Sequence, residues 1–149
     1  MRADTETVHN MLREHPDIVH SLQPEDQSVI TDASWDHKAD AVRVMLDVGF
    51  HVDARHNNHS MTALHRAAIR GDREIVQLLI THGASMDILN EFGGTPMNSC
   101  IWGSTHFQDP QGDYAAVAES LIEAGVRLPD QALGSEAVKA VLIRHGVPA

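Results

Sequence analysis

The feature that most constrains this 149-residue chain is an internal repeat. The segment Thr62-Ala63-Leu64-His65-Arg66-Ala67-Ala68-Ile69-Arg70-Gly71 is followed by Ile75-Val76-Gln77-Leu78-Leu79-Ile80 and His82-Gly83-Ala84. At an offset of 34 residues it lies over Ser28-Val29-Ile30-Thr31-Asp32-Ala33-Ser34-Trp35, then Ala41-Val42-Arg43-Val44-Met45-Leu46 and Val48-Gly49-Phe50. A third copy opens at Thr95-Pro96-Met97-Asn98-Ser99-Cys100-Ile101-Trp102, closes at Leu121-Ile122-Glu123-Ala124-Gly125, and carries about nine extra residues. A period of this length excludes most folds: one such unit cannot bury its own apolar face, so the copies must stack into a continuous core.

Each copy reads as two short helices and a turn. Thr62 and Thr95 are suited to cap a helix N-terminus, and Pro96 falls at the first helical position, where a missing N–H costs nothing. The first helix offers a narrow face of Leu64, Ala67 and Ala68, whose small side chains admit a close neighbour. The second carries Ile75, Val76, Leu78 and Leu79 at helical spacing, and Gly83 ends it where a left-handed residue is favoured. The polar stretches 53–60 and 87–94 read as hairpin turns projecting between layers. Aromatic residues make up only 4% of the chain. A core poor in Phe and Tyr favours many thin helical layers over one thick β-sandwich, so the expected class is all-α.

These residues resemble the ankyrin repeat, whose Thr-Pro-Leu-His opening, small pair, Gly, apolar second helix and Gly-Ala close are matched most fully at 62–84, with Ala63 in the proline's place. The third copy keeps Thr95-Pro96 but has Met97 and Asn98 for Leu-His. The resemblance implies a solenoid of helix-turn-helix units, with first helices lining a concave surface and hairpins projecting at its edge. It also implies that His65 hydrogen-bonds the backbone of adjoining turns. One domain over 1–149 then divides into an N-terminal half repeat (6–27), repeats at 28–61, 62–94 and 95–128, and a C-terminal cap (129–149). Within the third repeat, an insertion spans about 103–112. Val8, Met11 and Leu12 would fill the places of Val76, Leu79 and Ile80, and Val138, Val141 and Leu142 would form the last second helix.

With 11 Lys and Arg against 21 Asp and Glu, the formal charge is −10. That balance argues against general binding to nucleic acid or to anionic membranes, which draw their affinity from basic side chains. No stretch approaches the roughly 20 apolar residues of a membrane span, and the Met1-Arg2-Ala3-Asp4 start lacks the apolar run of a secretory signal. Cys100 is the single cysteine, which excludes an internal disulfide and a cysteine-built zinc site. A cytoplasmic monomer that binds a protein partner is the expectation.

Eleven histidines invite a second reading. His51, His56 and His59 fall in one hairpin and would make a small metal-binding protein or enzyme if they converged. Yet no His-Glu-x-x-His spacing, nucleophile elbow, phosphate loop or dinucleotide fingerprint is present. Cys100 aligns with Ala67 and Ala33, a place for small buried residues. Asp109 and Asp113 read as solvated loop residues, with Asp113 a candidate cap for the helix at Tyr114. No catalytic residue, metal or cofactor is expected.

Both tryptophans occupy one register, seven residues after each repeat opens: Trp35, Ile69 in the middle copy, and Trp102. In an ankyrin-like stack that register lies toward the concave face near the end of the first helix. The three side chains then form an apolar stripe, available either to a partner or to packing. Asp36 and Arg70 follow one position on. Asn58, His59 and Met61 in one hairpin match Glu91, Phe92 and Gly94 in the next, with Phe92 the exposed apolar tip. In the insertion, His106 and Phe107 are expected to fold back onto Trp102 and lengthen a recognition surface, the alternative being a tolerated excursion. Together Trp35, Asp36, Asn58, His59, Met61, Ile69, Arg70, Glu91, Phe92, Trp102, His106 and Phe107 are the candidate protein-binding residues.

Overall fold

A computed structural model describes residues 5–149, apart from the side chain of Pro24, so the first four residues of the leader argument lie outside it. Nine α-helices run in order among the described residues: α1 (Thr5–Glu14), α2 (Pro24–Gln27), α3 (Val29–Trp35), α4 (Ala39–Asp47), α5 (Ala63–Ile69), α6 (Arg73–Thr81), α7 (Pro96–Trp102), α8 (Tyr114–Glu123) and α9 (Glu136–Arg144). They stack in two rows. In one row α3, α5 and α7 pack side by side; in the other, α1 packs on α4, α4 on α6, α6 on α8 and α8 on α9. The fold is an all-α ankyrin-type solenoid.

Helices α5 to α9 begin where the sequence supplies side-chain caps. Thr62 Oγ1 accepts the N–H of His65, and the Thr62 N–H donates to His65 Nδ1 (3.2 Å). The other ring nitrogen, Nε2, donates to the Gly94 carbonyl at 3.0 Å, so one imidazole closes its own helix and ties it to the next hairpin. Burial lowers the pKa of His65, opposed by its backbone hydrogen bonds, and the neutral ring this geometry uses is the form that results. In the third repeat Asn98 does the first half of that task, accepting the Thr95 N–H at 3.0 Å. Asp72, Asp113 and Ser135 cap α6, α8 and α9 through their side-chain oxygens.

A spine of aliphatic side chains runs through every layer: Leu12, Ile30, Met45, Leu64, Ile75, Leu79, Met97, Leu121 and Leu142 are all fully buried. Each contributes about 1.5–3 kcal/mol by leaving water, which compensates for the scarcity of aromatic side chains. At the N-terminus Val8 and Leu12 enter this core while Met11 stays partly exposed, a small rotation from the expected alignment. A 3-10 turn at Pro16–Ser21 then leads to α2.

Backbone hydrogen bonds close the hairpins and join them. His56 N–H donates to Met61 O (2.8 Å) and Asn90 N–H to Gly94 O (2.9 Å), and the tips are joined by Glu91 N–H donating to His59 O (2.9 Å). Arg55 and Thr62 form an isolated antiparallel bridge. The extra residues of the third repeat do not form a free loop. They extend α7 by a π-helical turn, Gly103–Phe107, which stops at Gln108 in the left-handed region (φ +52°), and the chain then doubles back to Asp113.

Candidate functional site

The row of first helices and the two hairpin tips enclose a groove of about 880 Å³. Trp35, Asn58, His59, Met61, Ile69, Phe92, Trp102 and Phe107 line it, joined by Arg66, Asn90, Asn98 and Ser99. The register repeat thus brings both tryptophans to one surface, but they stand there differently. Trp102 is 50% exposed and Phe92 70%. Ile69 is only 6% exposed, so the middle of the expected stripe is floor and not surface. Asp36 caps the end of α3 in solvent, outside the groove lining.

Two exposed aromatic side chains are braced by histidines. His106 stacks on Trp102 with centroids 4.9 Å apart and planes 5° from parallel, and its Nδ1 lies 3.1 Å from the Trp102 carbonyl. His59 lies 4.8 Å from the Phe92 ring and its Nδ1 is 3.0 Å from Glu91 Oε2. Such bracing restricts rotamers before any partner arrives, which lowers the entropy lost on binding.

Phe107 departs from expectation. Instead of joining Trp102, it crosses to the first repeat and meets Trp35 edge-on, centroids 5.1 Å apart at 73°. Between and beside these rings sits the Arg70 guanidinium, 4.9 Å from the Trp35 centroid and 5.2 Å from that of Phe107; Arg66 adds a second cation 5.5 Å from Trp35. Arg70 Nη1 also donates to the Trp35 carbonyl at 2.7 Å. Asp109 corrects the reading of a solvated carboxylate. Its side chain is 3% exposed and accepts from Arg70 Nε, while His37 Nε2 stands 3.0 Å from the same oxygen. Burial alone would push this carboxyl up, but hydrogen bonds from Arg70, the Gln111 N–H and His37 outweigh it and hold it down at about 2. The other ring nitrogen of His37 lies 2.6 Å from Asp72 Oδ2, whose second oxygen caps α6.

His37, Arg66, Asp72 and Asp109 escaped the sequence reading, though one signal existed. The 34-residue offset sets His37 on Gly71, and both adopt the left-handed backbone (φ +57° and +64°). A β-carbon at such a position costs energy unless the surroundings repay it. Here two carboxylates do.

The metal reading finds little geometry. His56 is buried, accepts the Asn58 N–H on Nδ1 (2.9 Å) and turns Nε2 toward Asp32 (3.4 Å); His51 accepts the Asp53 N–H, and His59 pairs with Glu91. Among the described residues, no three His, Cys, Asp or Glu side chains are grouped to hold a metal ion. Cys100 is fully buried and donates to the Tyr114 carbonyl (3.3 Å); burial pushes its thiol up to about 12, far from a reactive thiolate. No helix among the described residues is long and apolar enough to cross a membrane.

A family model described as ankyrin repeats (three copies) matches residues 1–90 and 30–132. The chain belongs to the ankyrin-repeat family. Ankyrin repeats as a class are protein-interaction modules. The chain is 39% identical over 59 residues to a putative E3 ubiquitin-protein ligase, XBAT35, of Arabidopsis thaliana, over 39% of its own length. It is 30% identical over 78 residues, 49% of the chain, to the palmitoyltransferase ZDHHC17 of Danio rerio. Over 61 residues, 41% of the chain, it is 38% identical to the human ankyrin repeat and SOCS box protein 16. Each match spans 13% of the relative's length. The likeness therefore reaches a part of each protein, and the ankyrin stack is what the present chain brings to the comparison.

Proposed function

We propose that this ankyrin stack is a non-enzymatic adaptor or regulator, a cytoplasmic monomer that captures a protein partner in its concave groove and at its hairpin tips. The observation that carries this reading is the convergence of Trp102 and Phe92, exposed yet braced, on one concave apolar groove. Large aromatic side chains in such settings supply most of the binding energy of an interface. Trp35, Asn58, Met61 and Ile69 extend the floor and walls; Asp36, Glu91 and His59 set the polar rim. The cations beside the groove, Arg66 and Arg70, are 13% and 19% exposed and lie against Asp32 and Asp109. The net charge of −10, with Glu91 exposed at a hairpin tip, suits a partner segment in which large apolar side chains alternate with Lys or Arg.

The test is a quantitative pull-down with wild type beside a Trp102→Ala/Phe92→Ala variant of matched circular dichroism. Loss of about 2 kcal/mol or more of affinity is expected for a pair of hot-spot side chains. Equal capture by both proteins sinks the assignment and moves recognition off the groove.

A further inference from the structure

The insertion is tied down at a cost that a plain loop would not incur. Gly103 and Gly112 bring its two ends so close to the carbonyls of Ile69 and Arg70 that a β-carbon at either would collide with them. Tyr114 OH donates to the Ile69 carbonyl (2.7 Å) and accepts the N–H of Asp109 (3.0 Å). Asp109 itself divides its two oxygens. Oδ1 accepts the Gln111 N–H (2.9 Å) and shapes the loop, while Oδ2 faces Arg70 of the second repeat and His37 of the first. Both nitrogens of His37 face carboxylate oxygens, Nδ1 that of Asp72 at 2.6 Å and Nε2 that of Asp109 at 3.0 Å.

We propose that Asp109 is the positioning residue of the groove: by engaging Arg70 and His37 together, it holds residues 103–112 as a closed strap, so that Phe107 walls the groove and covers Trp35. The strap is a property of the free protein. Only its bearing on recognition rests on the groove being the binding surface, and there it fixes the pocket's shape and leaves only part of Trp35 open to the partner. Cations for the Trp35 and Phe107 rings are already supplied from within, by Arg66 and Arg70. The closed groove accordingly selects apolar anchors, with Lys and Arg confined to the rim.

The experiment uses the full chain without any partner. In a Trp102→Phe background, where Trp35 is the sole reporter, Asp109→Asn is compared with its parent by acrylamide quenching and by amide hydrogen exchange. Quenching of Trp35 should rise, and exchange of residues 103–112 should speed up by about tenfold or more while α6 keeps its protection. Unchanged quenching and exchange overturn the proposal, and so does a uniform loss of protection, which would make Asp109 a general stability residue. His37→Gly is the second variant, because it relieves the left-handed backbone while deleting one partner of Asp109. It should loosen the strap without lowering the melting temperature, an outcome that a merely structural histidine does not give. Since none of these readings needs a partner, a failed pull-down leaves the strap standing, and a failed strap leaves the groove assignment to its own test.

Discussion

Asp109 and Asp113 stand four residues apart in one loop, and the folded chain gives them different surroundings. Asp113 caps α8 by accepting the Ala116 N–H at 3.0 Å. Asp109 is enclosed, and its carboxyl is held at about 2 against an ordinary value of about 3.9. A carboxyl depressed by folding contributes stability that is complete above the unfolded value and lost as pH falls through the folded one. The stability difference between wild type and Asp109→Asn, followed by urea unfolding at a series of pH values, should thus be flat near neutrality and shrink on acidification from pH 4 to about 2. A difference that grows on acidification would show the carboxyl to be protonated in the native state. At this scale the sequence was legible only where causes are local. The cap at Asp113 follows from a residue three away, whereas the role of His65, which reaches Gly94 29 residues on, was implied by the resemblance to the repeat. The partners of Asp109 lie 39 and 72 residues distant, and nothing in the loop's polar composition announces them.

Helices α5, α7 and α8 were legible because Thr62, Thr95 and Asp113 cap them where the apolar spacing begins, while α3 and α4 start without a side-chain cap and followed from the repetition that also gave the solenoid. What the pattern left undetermined was the path of the insertion. A reading by neighbourhood sends Phe107 to Trp102, five residues back. The π-helical turn redirects it: a widened turn rotates the following side chains, and the chain leaves α7 aimed across α5 toward Trp35. That path requires a residue without a β-carbon at Gly103, since the obstacle is the backbone of Ile69 and cannot move aside. Gly103→Ala should destabilise the chain by about 1–3 kcal/mol, as overpacking does, seen as a lower urea midpoint. An unchanged midpoint would mean that the π turn has slack which the close approach does not suggest.

For the molecule as a whole, the net charge of −10 sets how partners arrive more than how they are held. With Arg66 and Arg70 mostly buried, that charge should speed encounter with a basic partner. The association rate constant should fall as salt is raised, while the dissociation rate, governed by the aromatic anchors, changes little. Stopped-flow mixing across a salt series measures both, and an association rate that rises with salt would exclude a basic partner.

Stacked repeats commonly behave as a line of dominoes, each answering only to its immediate neighbours. The tie from Asp109 to His37 spans 72 residues and reaches past the middle repeat to the one before it. Duplicating the central unit, the change by which such arrays grow, would carry Asp109 one layer out of reach and cut the tie. Keeping this tie therefore fixes at one the number of units that stand between the two residues.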